Sequence, residues 1–341
     1  MIYDYFHYTE LDKCFYEEKL KDRMPEDILD AHTHINLLEH LKDIPPERIV
    51  DDWALQSCMH MTAKDAHYYY SVLFPGKNYR NAAFPFPVKE AKLEDNNDYV
   101  AKCVQDKSIA YGLMCIKPEY SNEYIREQLT TKPFSGVKPY PDMISGKKGS
   151  EIGIFEFLPH EQLLLAEKLG KVVMLHLPRA GRMPDDNNIM ELREIRQRYP
   201  DLKICIAHMG RCFTPYHFEL AIKKLGEDAS GFWFDTAAVL NPEVHKVALS
   251  LLDHKHILFG TDEPIFLWHG RRTWTKTTYM NLAREDFAWN AHTEGRDKEA
   301  EYTFYVYEQI NNILTGIEEA GLGEDVKRDI FHDNAVRFYG S

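Results

Sequence analysis

Eight short apolar runs, separated by longer amphipathic segments, constrain the fold of this chain more than any other feature. Several of the runs are nearly continuous, as in Val172–Leu175 and Ile204–Ala207, and this is typical of strands buried on both faces of a parallel sheet. The predicted strands are Ile28–His34, Tyr69–Phe74, Tyr111–Ile116, Gly136–Tyr140, Val172–Leu177, Ile204–His208, Phe232–Ala237 and Ile257–Thr261.

The segments between these strands carry the signals of amphipathic helices. Glu161–Leu169 has leucines at helical spacing and is followed by Gly170, which favours a helix end. Asn97–Gln105, Ile189–Arg198 and Pro242–Leu252 are predicted to be helical in the same way. Eight strands alternating with helices through right-handed connections predict an α/β fold, the (β/α)8 TIM barrel, in a single domain. The active site of such a barrel lies at the C-terminal ends of its strands.

Three segments lie outside the regular barrel pattern. Residues 1–27 are an N-terminal extension that we expect to pack as a helical or irregular cover, so the barrel occupies about residues 28–341. Residues 75–96 are interpreted as a Pro- and Phe-rich loop after strand two, and residues 264 to about 300 as a long loop after strand eight. Loops of this length in a compact domain often serve as lids or binding loops.

Charge and composition exclude several classes of function. The 341 residues include 41 Lys and Arg against 54 Asp and Glu, a formal net charge of −13, which argues against nucleic acid or an anionic membrane as a partner. Hydrophobic residues make up 44% of the chain, enough for a sizeable core. We expect neither a signal peptide nor a membrane span. Six cysteines without a Cys-x-x-Cys pair indicate reduced thiols in a cytoplasmic enzyme.

Five ionisable residues lie at the ends of four predicted strands. His32 and His34 are separated by one residue, so both side chains point to the same face of strand one. Imidazole is the commonest protein ligand for divalent transition metals, and a hydrolytic metal site needs three or four protein ligands and an open position for water. His176 can add a third nitrogen. Asp262 can add an oxygen or act as general base, and His208 can hydrogen-bond the water or polarise a substrate carbonyl.

These landmarks resemble the amidohydrolase superfamily, and specifically its amidohydrolase-related branch of metal-dependent hydrolases and nonoxidative decarboxylases. The resemblance covers most of the chain and is carried by Asp30-Ala31-His32-Thr33-His34, Gly136-Val137-Lys138, Leu175-His176, Ala207-His208, Gly260-Thr261-Asp262 and Asp333-Asn334-Ala335. It implies one divalent metal ion held by four ligands, namely His32, His34, His176 and Asp262. It further implies that His208 acts on water or on the substrate.

Lys138 matches a lysine often found on the fourth strand of this branch. In other amidohydrolases a strand-four lysine is carbamylated and bridges two metals, whereas a single metal is favoured here. A buried lysine that pairs with an acid near the site explains this residue as well as a direct catalytic role does. Lys138 is therefore a candidate substrate-binding residue.

Arginines near the predicted strand ends indicate what the substrate carries. They are Arg179, Arg182, Arg211, Arg271 and Arg272. Guanidinium groups suit carboxylates and phosphates, so their presence at the site of an acidic protein predicts a small carboxylated substrate. Arg179 and Arg211, together with Lys138, are the predicted substrate ligands.

These patterns predict hydrolysis of a C–O or C–N bond in a small carboxylated molecule. Zn²⁺ is the favoured metal, and Mn²⁺, Fe²⁺ or Co²⁺ also suit imidazole and carboxylate ligands. Nonoxidative decarboxylation of an aromatic or unsaturated acid on the same metal is an alternative, as is lactone hydrolysis without metal. A non-catalytic binding protein on a barrel scaffold is a further class. The resemblance also implies a homo-oligomer.

Overall fold

A parallel barrel of eight strands forms the centre of the protein, as the apolar runs predict. The computed structural model describes residues 6–41, 43–147 and 151–340. The barrel strands are β1 Asp27–His34, β2 Asn78–Phe84, β3 Tyr111–Ile116, β4 Phe134–Pro139, β5 Val172–Leu175, β6 Ile204–Ile206, β7 Trp233–Asp235 and β8 Ile257–Leu258. Each strand pairs with the next in chain order. The Ala31 amide donates a hydrogen bond of 2.8 Å to the Phe259 carbonyl, which joins β1 to the segment after β8 and confirms the (β/α)8 barrel.

Helices follow most of these strands and cover the barrel. The α-helical segments are Glu10–Phe15, Leu38–Leu41, Pro46–Asp51, Trp53–Ser57, Ala63–Leu73, Leu93–Gln105, Asn122–Thr131, Ile154–Phe157, His160–Lys168, Asp186–Arg198, Pro215–Leu225, Pro242–Leu251, Arg296–Glu299, Tyr305–Glu319, Glu324–Arg328 and Asn334–Tyr339. The four helices predicted between strands are confirmed. No helix in the described part of the chain is long and apolar enough to cross a membrane.

The prediction for strand two was wrong. Tyr69–Phe74 was assigned to a strand, but Ala63–Leu73 is a helix, and the strand is Asn78–Phe84, inside the segment interpreted as a loop. The helix begins with a capping box, in which the Thr62 hydroxyl accepts from the Asp65 amide while the Asp65 carboxylate accepts from the Thr62 amide. The cap and the buried helix face outweigh the strand preference of consecutive tyrosines.

Side chains fill the interior of the barrel below the strand ends. Leu29, Leu113, Met174 and Leu258 belong to one buried cluster there. Tyr339, in the last helix, closes this cluster, and its hydroxyl donates a hydrogen bond of 2.6 Å to the Ala31 carbonyl. A packed interior leaves the C-terminal ends of the strands as the place where a ligand can enter.

The N-terminal extension packs against the long loop after β8. That loop contains an antiparallel hairpin, β9 Gly270–Trp274 and β10 Tyr279–Ala283. Asp12, in the first helix, is fully buried and accepts hydrogen bonds from Thr303 and from His269. The extension therefore anchors the loop that carries the hairpin.

Burial of His245 gives the fold a pH dependence. His245 lies in Pro242–Leu251, donates a hydrogen bond of 2.9 Å from Nε2 to the Val239 carbonyl, and burial lowers its pKa to about 4. The unfolded chain takes up this proton near pH 6.5 and the folded chain only near pH 4, so stability falls as the pH drops between these values. His245→Gln is expected to remove about 3 kcal/mol of the pH dependence of the unfolding free energy between pH 7 and 4.

Urea unfolding at pH 7 and near pH 4 measures this difference. His67→Gln, at an exposed position of another helix, is the matched control. An equal pH dependence in wild type and His245→Gln would contradict the prediction.

Candidate active site

A cavity of about 1140 Å³ opens at the C-terminal ends of the barrel strands. All eight residues that the sequence singled out as site candidates line it, namely His32, His34, Lys138, His176, Arg179, His208, Arg211 and Asp262. They come from β1, from β4 and from the segments after β5, β6 and β8. The parallel barrel brings these ends together because the C-terminal ends of its strands lie at the same end of the barrel.

Four of these residues have a positive backbone φ, and for Arg179 and Arg211 the values are 64° and 62°. His208 has a φ of 58° and Asp262 a φ of 70°, a region that residues other than glycine rarely adopt. Met209 and Gly210 continue the same turn after β6 with φ values of 47° and 68°. Such strain persists where surrounding contacts hold the backbone in place, and it is concentrated at functional sites. The side chains of His208 and Asp262 both line the cavity.

The imidazoles and the carboxylate form one contiguous cluster. Asp262 Oδ1 lies 3.2 Å from the Nε2 atoms of both His32 and His34. Ligand atoms of His32, His208 and Asp262 all lie within 4.8 Å of one another. The ring of His176 lies 5.1 Å from that of His208. The four predicted metal ligands and the predicted catalytic histidine therefore line one cavity. The group with the geometry to hold a metal ion includes His208, which was predicted to act on water or substrate, and does not include His34 or His176.

Three histidines in this cluster have the same orientation. Nδ1 of His32 donates to Asp235 at 2.8 Å, Nδ1 of His208 donates to the Ala237 carbonyl at 3.0 Å, and Nδ1 of His34 faces the Pro85 carbonyl at 3.3 Å. With Nδ1 as the donor, Nε2 of His208 keeps a lone pair, a tautomer assigned from the hydrogen-bond network. The Nε2 atoms of His32 and His34 lie within hydrogen-bond distance of the Asp262 carboxylate, which accepts from a protonated Nε2. Histidines that bind metals are held in this way by an acceptor on the second ring nitrogen.

The pKa shifts within the cluster differ in direction. Burial lowers the pKa of His32, but Asp235 and Asp262 outweigh it and raise that pKa. Burial lowers the pKa of His208 to about 4, so its Nε2 is unprotonated at neutral pH. Burial opposes ionisation of Asp262, but His208, His32 and His34 outweigh it and hold the pKa of the carboxyl well below its usual range. Nδ1 of His176 is buried and makes no hydrogen bond with any described residue. Imidazole nitrogens and an ionised carboxylate make a donor set that fits a divalent transition metal.

Asp235 is the functional residue that the sequence interpretation missed. It is the last residue of β7, fully buried, and its second carboxylate oxygen accepts a hydrogen bond of 2.6 Å from the His208 amide. It therefore orients His32 through the side chain and His208 through the backbone. Its signal was present, since an acid ends the apolar run Phe232–Phe234, as polar residues end the other site strands.

Lys138 is buried in β4 beneath the cluster. Its Nζ makes no hydrogen bond with any described residue and lies 4.8 Å from the centre of the Phe84 ring. Burial lowers the pKa of Lys138, partly opposed by Asp235 and Asp262. The expected pairing with an acid is therefore electrostatic only, without a direct ion pair.

The two predicted arginine ligands have different surroundings. Arg179 binds Glu191 through two parallel hydrogen bonds of 2.6 and 2.8 Å, which occupy its guanidinium. Arg211 donates from Nη1 to the carbonyls of Leu177 and Arg179 and has no carboxylate within ion-pair distance among the described residues. Of the two, Arg211 has free hydrogen-bonding capacity for a substrate carboxylate, and this weakens the prediction for Arg179.

Comparison with known proteins agrees with this geometry. The sequence profile of the amidohydrolase family matches residues 29–341, nearly the whole barrel. The chain belongs to the amidohydrolase family. A search of curated protein sequences finds no match to this amidohydrolase.

Solved structures share the fold of this amidohydrolase at low identity. A probable 2-pyrone-4,6-dicarboxylic acid hydrolase from Acinetobacter baumannii, with citric acid bound, is 14% identical, with a TM-score of 0.55 over 92% of this chain and 99% of that one. The 5-carboxyvanillate decarboxylase from Sphingomonas paucimobilis is 14% identical, with a TM-score of 0.54 over 93% and 99%. The enzyme of that name from Novosphingobium aromaticivorans, complexed with manganese and a nitrobenzoic acid, is 10% identical, with a TM-score of 0.55 over 93% and 96%. These proteins of the same fold thus include a probable hydrolase and decarboxylases.

Proposed function

We propose that this amidohydrolase is a metal-dependent hydrolase of a C–O or C–N bond in a small carboxylated molecule. The observation that carries the proposal is the set of three histidines whose Nδ1 atoms face acceptors while their Nε2 atoms converge near Asp262. His32, His34, His176 and Asp262 are proposed to hold one divalent ion, with His208 beside them. Zn²⁺ fits this donor set, and Mn²⁺, which a structural relative binds, is the next candidate.

The side chains then have distinct roles. When bound, the ion supplies Lewis-acid charge and acidifies water. Asp262 accepts the proton of the attacking water and can return it to the leaving oxygen or nitrogen. His208, neutral at pH 7, accepts or relays a hydrogen bond at Nε2. Arg211 is proposed to bind the substrate carboxylate and to fix its distance from Asp262.

Nonoxidative decarboxylation is the second candidate, and Lys138 favours it. Its Nζ lines the cavity without a hydrogen-bond partner among the described residues. When a C–C bond to a carboxylate breaks, the electron pair stays on carbon and must receive a proton. A buried ammonium group whose pKa burial lowers can deliver that proton.

A substrate panel on metal-loaded protein distinguishes these functions. Acid release from lactones and amides that is lost with a chelator supports the hydrolase, whereas CO₂ release from aromatic or unsaturated acids supports the decarboxylase. Lactone hydrolysis that survives the chelator would indicate a lactonase without metal. Tight metal and acid binding with no turnover would indicate a binding protein. Cytoplasmic location, homo-oligomerisation and the absence of nucleic-acid and membrane partners remain predictions.

Substitution of the two arginines tests the assignment of the substrate carboxylate. Arg211→Met is expected to raise KM for a carboxylated substrate by about 10- to 100-fold, because a charge-assisted bidentate contact is lost. Arg179→Met is the matched control, since its guanidinium already binds Glu191. It is expected to lower the melting temperature more than it changes KM. Steady-state kinetics on an acid and on its neutral amide measure KM, and thermal unfolding measures the melting temperature. An equal rise in KM for the two compounds in Arg211→Met would contradict the role of Arg211.

A further inference from the structure

Arg272 lines the cavity together with Arg211, and the proposed function gives Arg272 no role of its own. It lies on β9, is 6% exposed and lines the same cavity as the histidine cluster. Its Nε donates a hydrogen bond of 2.7 Å to Asn281 Oδ1, and Nη1 donates to the Ala238 carbonyl. The Tyr305 hydroxyl donates to the same Asn281 oxygen at 3.0 Å. The guanidinium is therefore fixed from two sides, and its Nη2 makes no hydrogen bond with any described residue.

This guanidinium lines the same cavity as His208 and bonds to the same turn of the backbone. The Ala237 carbonyl accepts a hydrogen bond from His208, and the next carbonyl, that of Ala238, accepts from Arg272. Consecutive Cα atoms are about 3.8 Å apart. His208 and Arg272 therefore donate hydrogen bonds to neighbouring residues of one turn. A single small molecule can span the distance between them.

The positive charge around Arg272 has no ion-pair partner among the described residues. Its guanidinium carbon lies 4.4 Å from the centre of the Phe213 ring and 4.6 Å from that of Tyr279. Arg182 lies 5.5 and 4.9 Å from the same two rings, and Arg211 lies two residues before Phe213. In the described part of the chain, no carboxylate lies within ion-pair distance of any of these three arginines.

This lack of a partner is selective. Arg48 lines the same cavity but pairs with Asp52 and Asp142, and Arg179 pairs with Glu191. The chain has 54 acidic residues against 41 basic ones, so acids are abundant. Cation–π contacts with the rings offset only part of the cost of burying a charge. An oxyanion bound in the cavity would add the stabilisation that the described residues do not supply.

We propose that Arg272 binds a second oxyanion group of the substrate, a carboxylate or a phosphate, in addition to the carboxylate assigned to Arg211. The substrates of this enzyme are then small molecules with two anionic groups, one at each arginine. The inference rests on the proposed function, because it places the first carboxylate at Arg211. It makes the β9–β10 hairpin the element that selects dianions over monoanions.

Calorimetric binding to the metal-loaded protein tests this without any turnover. The probes are glutarate and isophthalate, each compared with its neutral-ended counterpart, glutaramate or 3-carbamoylbenzoate. At least one diacid is expected to bind about tenfold or more tightly than its monoamide. Arg272→Met is expected to abolish that preference and to keep the affinity for the monoamide. Titration with 3-phosphonobenzoate shows whether the second group is bound better as a phosphonate than as a carboxylate.

Matched variants separate a local effect from a folding defect. Arg271→Met changes the neighbouring residue of β9, whose guanidinium pairs with Glu294 and does not line the cavity, and it is expected to keep the preference for diacids. Arg272→Lys retains the charge without the planar fork and is expected to restore part of the preference. Should Arg272→Met fail to fold, Arg272→Lys and Arg211→Met still decide whether the preference depends on these two positions.

The outcomes distinguish the two proposals. If the monoamides bind through Arg211 but the diacids gain nothing, the second oxyanion site is wrong while the proposed function stands. If Arg272→Met weakens diacids and monoamides equally, Arg272 supports the fold of the cavity and does not select the ligand. If no acid binds the wild type at all, the carboxylated substrate class fails, and the second oxyanion site fails with it.

Discussion

Asp262→Asn is expected to lower kcat/KM by about 1000-fold while the protein stays folded. Asparagine keeps the size of the side chain and an oxygen that can face His32 and His34. It cannot accept a proton at neutral pH, and it removes the negative charge that the surrounding imidazoles stabilise. The loss is expected in kcat more than in KM, because the proton is transferred in the transition state and not in the bound ground state.

A second buried aspartate provides the control for this substitution. Asp329 also bonds a histidine, with 3.0 Å between its Oδ2 and His254 Nε2, and it does not line the cavity. Asp329→Asn is expected to lower the melting temperature and to leave kcat/KM within about twofold of wild type. Steady-state kinetics and thermal unfolding on both variants make the comparison. An Asp262→Asn enzyme that retains a tenth or more of wild-type kcat/KM would show that Asp262 shapes the site without transferring the proton.

Removal of the two histidines of β1 is expected to abolish metal binding. Wild-type protein purified without chelators is expected to contain about one equivalent of a divalent ion, and His32→Ala/His34→Ala essentially none. The reason is that these two Nε2 atoms flank the carboxylate oxygen of Asp262 at equal distances of 3.2 Å. Elemental analysis by ICP-MS measures the content directly.

The chain contains a second His-x-His sequence that serves as the matched control. His254 and His256 have the same spacing but precede β8, at the end of the barrel opposite the cavity. His254→Ala/His256→Ala is expected to keep the metal. Equal metal content in the wild type and both double variants, or a well-folded wild type that takes up no metal on reconstitution, would contradict the metal site and favour metal-independent hydrolysis.

Asp235→Asn tests the orientation of the ligands separately from the ligands themselves. Loss of an acceptor behind a metal-binding histidine typically weakens metal affinity by about 10- to 100-fold. Because Asp235 also accepts from the His208 amide, its replacement is expected to disturb two residues of the cluster at once. Metal affinity measured by competition with a chelator gives the size of this effect, and an unchanged affinity would leave Asp235 a purely structural role.

The sequence predicted the barrel because its pattern is local. Apolar runs such as Val172–Leu175 and Ile204–Ile206 are buried in the folded barrel, and the polar residues that end these runs, His176 and His208, line the cavity. The error at Tyr69–Phe74 has the same origin. Tyrosine-rich segments have a strand preference of their own, and here a capping box seven residues upstream (at Thr62) and the packing of the helix decided the outcome instead.

Tertiary structure decided which of the polar residues can act together. Arg179 and Arg211 look equivalent in sequence, yet Glu191 pairs with one and no described carboxylate pairs with the other. Asp235 was recognised, and Arg272 was separated from the other arginines, only through partners 203 and 34 residues away. The sequence by itself determined seven of the eight strands, the resemblance to the family and the candidate residues at the cavity mouth, because each depends on neighbours along the chain. Hydrogen-bond partners and unpaired charges depend on distances across the folded barrel, and only the structure decided those.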